Sequence, residues 1–322
     1  MDGVAETLAK LVADELAQPV SDSVTGLAEA IRGRTGPGTA AVLFYGSCLR
    51  KRSDEGVLDF YVLVDAYRGA NPGRWLALAN ALLPPNVFYI EHRGAAGVLR
   101  AKYAVVSRRD FQRGAAGRWL RTGIWARFSQ PVRAVYVRDP AARAEVVAAC
   151  AEAVIALLER TLPLLPGEGD RIHAQAAELW QTAFRETYAA EMRPESPEAI
   201  RGLHLDQPAR YAQAARLALL ALEARGRLRV LTPDDPFEVE LPAGERRWRR
   251  RRARLRRPLA KLAYVAQLLK TAFTFGDWLP YALWKLERHS GARLVPSERQ
   301  RRHPILFGLP LLVRALRERA LR

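Results

Sequence analysis

The sequence predicts an α+β chain: a mixed sheet with flanking helices over residues 1–140, a mainly helical part over 141–245, and a basic amphipathic end over 246–322. Three observations lead there. Short apolar runs rich in Val, Leu and aromatics alternate with helical stretches up to about residue 140. Beyond Asp139-Pro140 the spacing is helical and the composition Ala/Leu-rich. From Glu245 onward arginine dominates, in the run ERRWRRRRARLRRP.

The elements follow in order. Val4, Leu8, Leu11, Val12 and Leu16 recur at helical spacing. A second helix is expected from about Ser23 to Arg32, ended by the Gly/Pro-rich RGRTGPG. TAAVLFYGS and GVLDFYVLVDAY read as buried strands. A helix over Asn71–Leu83 stops at Pro84-Pro85, and NVFYIEH and AKYAVVS read as further strands. Asp110–Arg121 reads as a helix and PVRAVYV as a late strand, so strands and helices share this half. Helices are expected over Ala141–Leu162, Arg171–Ala190 and Pro208–Arg225, with a strand pair at RLRVL and FEVELP. Leu259–Phe275 is apolar with Lys261 and Lys270 interspersed, and Leu311–Arg322 is amphipathic and basic.

Composition narrows the class. The 322 residues carry 51 Lys+Arg against 34 Asp+Glu, a formal charge of +17. That length fits two domains, and 49% apolar residues argue against disorder throughout. Anionic partners are expected: nucleotides, nucleic acid or an anionic membrane. Two cysteines, Cys48 and Cys150, with no Cys-x-x-Cys, speak against a disulfide scaffold or zinc site. Both read as small buried residues. No run reaches the ~18 uncharged apolar residues a spanning helix needs; the nearest, His303–Val313, contains Pro304 and Pro310. The acidic start MDGVAETL is unlike a signal peptide. A cytoplasmic protein is expected.

The chemistry centres on Gly46-Ser47, with Asp59 twelve residues after the serine. A strand ending in Gly-Ser, a turn, and a second strand carrying a carboxylate form the pattern of polymerase-beta-type nucleotidyltransferases. Gly46 lets backbone approach a triphosphate, and Ser47 with nearby N–H groups can donate to phosphate oxygens. Asp59 suits Mg²⁺. Arg50 and Lys51, with Arg52, sit where they can reach phosphates. The superfamily's second carboxylate, two residues on, is Tyr61 here. Asp65 has the right parity, but six residues at ~3.3 Å each separate it by about 20 Å. Glu91 is a further acidic candidate at the end of NVFYIEH.

The blocks YGSCLR…GVLDFYVLVDAYRGANPGRW, LRAKYAVVSRRDF and WARFSQPVRAVYV, in this order over about residues 40–138, resemble the mitochondrial-type phosphatidate cytidylyltransferases, the translocator assembly and maintenance family. The matching positions are Tyr45, Gly46, Ser47, Asp59, Phe60, Val64, Asp65 and Trp75, then Lys102 and Tyr103, then Arg127, Pro131 and Val132. The chain departs from the pattern at Leu76 for His, at Ala79 with Asn80 one step late, at Ala126 for Gly and at Gln130 for Lys.

The resemblance implies a polymerase-beta-like nucleotidyltransferase domain, a winged-helix-like domain and a C-terminal membrane-binding segment. It implies the reaction of CTP with phosphatidic acid, giving CDP-diacylglycerol and pyrophosphate, with Mg²⁺, at the inner membrane surface. Asp59 and Lys102 would then serve catalysis with Arg127, which would clamp a phosphate; Gly46, Ser47, Arg50, Lys51 and Lys102 would hold the nucleotide; Asp59, Asp65 and Glu91 are the metal candidates. Arg246–Arg257, with Trp248, is expected on an anionic membrane, nucleic acid being the less favoured partner. Two alternatives stand beside this: a nucleotidyltransferase with a soluble or RNA acceptor, and a non-catalytic membrane- or RNA-binding protein on a degenerate transferase domain.

Overall fold

The computed structural model describes residues 2–70, 73–94, 97–191, 200, 202, 203 and 205–274. The segments His303–Val313 and Leu311–Arg322, and Phe275 at the end of the expected apolar stretch, lie outside the described residues.

Two helices, α1 (Asp2–Leu16) and α2 (Asp22–Thr35), precede the sheet. Ser21 caps α2 by accepting from the Val24 N–H. Strand β1 (Thr39–Tyr45) leads through the short helix α3 (Ser47–Lys51) to β2 (Val57–Val64). Then come α4 (Arg74–Leu82), β3 (Asn86–Gly94) and β4 (Gly97–Ser107). Helices α5 (Arg108–Ala115) and α6 (Gly123–Phe128) precede β5 (Arg133–Val137). The sheet is mixed, in the order β3-β4-β2-β1-β5, with β2 and β4 parallel and the other neighbours antiparallel. This is an α+β architecture with helices on both faces. One face packs Val42, Phe60, Val62 and Val105 against Val24, Leu27 and Ile31 of α2.

Helix α7 (Pro140–Thr161) packs on the other face. Asp139 caps it and Pro140 opens it, where a missing N–H costs nothing. A three-stranded sheet of β6 (Arg171–Ala174), β8 (Phe237–Glu240) and β7 (Arg229–Thr232), in that order, joins α8 (Ala176–Ala190) and α9 (Pro208–Ala224). Trp180, Phe184 and Tyr211 form an aromatic cluster between α8 and α9. One continuous core runs from Leu8 through Leu43 and Val154 to Leu241, so residue 140 begins a helix without ending a core.

The chain then forms α10 (Ala243–Thr274), a single helix through Pro258. An interior proline costs ~3 kcal/mol. Docking on both sides of it offsets that cost: Arg250 donates to the Leu165 carbonyl at 2.7 Å, Arg256 to Trp119 at 3.0 Å and Lys270 to Pro85 at 2.8 Å. Three sequence expectations change. Arg171–Ala174 is a strand rather than the start of a helix, because Ile172 and Ala174 are buried while Arg171 and His173 are exposed. The expected helix Asp110–Arg121 ends at Ala115, and Gly123–Phe128 is a helix where none was expected. No helix among the described residues is long and apolar enough to cross a membrane.

Candidate functional site

Strand register gathers the first polar group. Tyr45 of β1 lies opposite Asp59 of β2, Asp59 opposite Lys102 of β4, and Lys102 opposite Tyr89 of β3. These four share one face of the sheet. The Lys102 ammonium sits 3.2 Å from Asp59 Oδ1, both side chains about a quarter to a third exposed. Gly46 stands against the same carboxylate. Its φ of +93° is glycine territory, and a Cβ there would lie 3.1 Å from Asp59 Oδ2. Any side chain at position 46 would push into Asp59.

A cavity of about 290 Å³ opens on this face. Asp59 and Lys102 form its floor, α6 brings Arg127, and the end of α8 brings Glu191. Tyr264, Gln267 and Thr271 of α10 roof it. Arg127 makes a bidentate pair with Glu191, at 3.0 and 2.8 Å, and donates to the Gly123 carbonyl at 2.7 Å. Burial alone would lower the Arg127 pKa, but the Glu191 carboxylate outweighs it, so the guanidinium stays charged. Thr122 adds a hydroxyl donor to Glu191 at 2.9 Å. The Gln267 side-chain oxygen is buried here without a donor.

Tyr61 occupies the position where the second carboxylate was looked for. It is buried, edge-on to Phe128 at 5.0 Å and to Tyr45 at 5.5 Å. Burial raises its pKa, so its phenol stays protonated and offers no anionic ligand.

The remaining expected site residues divide. Ser47 begins α3 and is exposed beside Gly46, and Arg50 reaches Gln130 on the α6 side at 3.4 Å. Lys51 is exposed at the end of α3. Asp65 lies past the far end of β2, held by Arg108 at 2.9 Å and Arg138 at 2.5 Å. The Arg138 hydrogen bond, with Arg108 adding, holds its carboxyl below the ordinary aspartate value. Asp65 therefore shares no ligand position with Asp59. Glu91 lies opposite Arg100, ion-paired at 3.3 Å, and accepts from the Tyr89 hydroxyl at 2.9 Å; it does not line the cavity. Among the described residues no group of three His, Cys, Asp or Glu could hold a metal ion.

Asn80 has a structural task. It is fully buried, donates to the Val105 carbonyl at 3.1 Å and accepts from the Asn86 N–H at 2.8 Å, tying α4 to the sheet. Trp75 is largely exposed. Glu191, Arg121 and Gln267 line the cavity without having been singled out, because each comes from a segment with no local motif. Comparison with known proteins found no family model that matches the chain and no curated protein that matches it.

Proposed function

We propose that the protein is a polymerase-beta-like nucleotidyltransferase that transfers a cytidylyl group from CTP to phosphatidic acid. One observation carries this reading. Asp59, Lys102 and Arg127 come from three separate sequence blocks, and all line one cavity, with Gly46 standing against Asp59. The β1–α3–β2 unit and the mixed sheet are compatible with that fold.

The acceptor phosphate oxygen would attack the α-phosphorus, and the bond to the β-phosphate would break to release pyrophosphate. Mg²⁺ often binds through one or two carboxylates plus substrate phosphates. Of the two carboxylates that line the cavity, Glu191 is held by Arg127, and Asp59 suits an ion that arrives with the triphosphate, while the described residues form no ready-made cage. Asp59 would hold the Mg²⁺, which supplies Lewis-acid charge stabilisation. Lys102 would move from Asp59 to a phosphate oxygen. Gly46, Ser47, Arg50 and Lys51 would hold the triphosphate at the rim. Arg127, kept charged and oriented by Glu191, would face the transferring phosphate with whichever N–H directions the carboxylate leaves open.

The membrane part of the reading rests on α10. It exposes Trp248, Leu255, Leu259 and Leu262 together with Arg247, Arg251 and Arg254. A helix with large apolar side chains and arginines exposed together suits an anionic lipid interface.

A second reading, a binding protein on a transferase frame, is favoured by Tyr61 and by the direct Asp59–Lys102 pair. Pyrophosphate release from CTP, Mg²⁺ and phosphatidic acid vesicles separates the two. Turnover is expected, lost with chelator, and lowered roughly 10²–10³-fold by Asp59→Asn. Activity of the variant within about threefold of wild type removes Asp59 from the mechanism. CTP binding without turnover in wild type selects the second reading.

A further inference from the structure

A groove of about 540 Å³ runs beneath the first half of α10. Asp59, Lys102 and Arg127 have no part in it. Its walls are α10 on one side and the ends of α7 and α8 on the other. Nine arginines and two glutamates line it. One of those glutamates, Glu159, already accepts from Arg227 at 2.6 Å, with Arg249 at 3.8 Å.

The arginines of interest are Arg160, Arg252 and Arg256. Arg160 comes from the last turn of α7 and donates to the Gly117 carbonyl. Gly117, at φ +67°, leaves the space that this guanidinium fills. Burial lowers the Arg160 pKa to about 10, with the charges of Arg256 and Arg252 adding and Glu159 opposing. Arg256 is lowered too, by burial and then by Arg252. Arg160 and Arg256 thus sit in partly desolvated ground beside the charge of the exposed Arg252, which costs folding free energy.

A second observation is independent of charge. Trp125 of α6 lines the same groove and is 7% exposed, and its indole N–H has no acceptor. A buried donor left unanswered is itself costly. The Arg160 guanidinium stacks over the Trp125 ring at 5.5 Å, so donor and cations share one place. An anion with several acceptor oxygens would relieve both costs, and guanidinium forks match phosphate geometry.

We propose that this groove is a second anion site that takes a phosphate group through Arg160, Arg252, Arg256 and the Trp125 indole N–H. The phosphate belongs to a free phosphorylated ligand or to a lipid headgroup. The assignment does not depend on the transferase reading.

The test uses the full chain, with chelator present to silence Mg²⁺-dependent binding, and inorganic pyrophosphate as probe. Titration should move the Trp125 indole ¹H–¹⁵N resonance saturably, the resonance being identified by its loss in Trp125→Phe. Arg252→Gln/Arg256→Gln should weaken pyrophosphate binding at this resonance about tenfold or more. Arg247→Gln/Arg251→Gln removes the same charge from residues that do not line the groove, and should leave binding within about twofold. Vesicles of phosphatidylcholine with phosphatidic acid are then added as competitor against labelled pyrophosphate. Competition that pure phosphatidylcholine vesicles lack assigns the site to a headgroup; its absence assigns it to a free ligand. A Trp125 resonance that pyrophosphate leaves unmoved, or equal weakening by both double variants, overturns the proposal. The wild-type resonance decides even if the groove variant fails to fold, and loss of CTP turnover alone would leave this result untouched.

Discussion

Strand β2 carries Asp59 near its start and is followed by Asp65, and the two ends differ. Asp59 faces a cavity with one lysine at 3.2 Å. Asp65 sits on the surface with both oxygens taken, Oδ1 by Arg108 and Oδ2 by Arg138. Parity along the strand treats them alike, since both side chains project the same way. What separates them is the second layer. At the Asp59 end α6, α8 and α10 close over the sheet and leave space between; at the Asp65 end two arginines fill the space a ligand would need. A carboxylate is available to chemistry when its cation can leave for a better anion, and one lysine leaves more readily than two arginine forks.

The largest effect is expected where the closed end is held together. Arg127 and Glu191 form a bidentate pair in which the carboxylate is buried and the guanidinium largely so. Removing one partner of such a pair costs about 3–5 kcal/mol, since the other charge stays buried and unmatched. Glu191→Gln should therefore lower unfolding stability by that amount in urea at neutral pH. Adding Arg127→Met should recover part of the loss, as a double-mutant cycle would reveal. A loss below about 1 kcal/mol would mean that the cavity end is no better held than an exposed pair.

The comparison also marks what the sequence can and cannot disclose. TAAVLFY and VLDFYVLV read as strands because apolar runs need burial on both faces, and Phe60 and Val62 on one face and Tyr61 and Leu63 on the other are buried. The sequence singles out Gly46 and Asp59 for a triphosphate and Mg²⁺, whereas the contact of Gly46 with the Asp59 carboxylate follows from the β1–β2 pairing. The register that sets Lys102 opposite Asp59 was not legible. It follows from a parallel pairing of strands some forty residues apart, a choice made by the whole sheet. Glu191 stayed hidden for a similar reason: only the packing of α8 against α6 makes it Arg127's partner. Asp65 and Glu91 each pair with arginine, and an isolated carboxylate in a sequence does not announce its nearest arginine. The continuity of α10 through Pro258 is likewise set by tertiary docking, since local propensity disfavours a proline there.

A smaller effect tests the roof over the cavity end. Lys270 of α10 donates to the Pro85 carbonyl and to Asn86 Oδ1, both at 2.8 Å. Burial, with Arg121 adding repulsion, lowers its pKa from 10.5 to about 7. In the window from about 7 to 10.5 the unfolded chain then binds more protons than the folded one. Stability from this group therefore rises with pH across that window, and the full penalty is present below it. The slope should stay under about 1.4 kcal/mol per pH unit, since solvent still reaches the ammonium. Wild type should gain on Lys270→Met between pH 7 and pH 9 in paired urea titrations. A constant difference would show that the ammonium is not desolvated by the roof.

The smallest effect is expected at the open end, in the opposite pH range. Asp65 has its folded pKa lowered by Arg138 and Arg108. Its contribution is present above the unfolded value of 3.8 and fades as pH falls through the folded value. The site is exposed, so the contribution should be under about 1 kcal/mol and weaken with salt. Asp65→Asn should cost that little at pH 7, nothing in strong acid, and leave CTP turnover within about threefold of wild type. Paired with Asp59→Asn in the same assay, this variant isolates position along the strand from the chemistry of the side chain. Turnover lost equally in both would put the two carboxylates in one mechanism, against the spacing of about 20 Å and the arginine clasp that keep them apart.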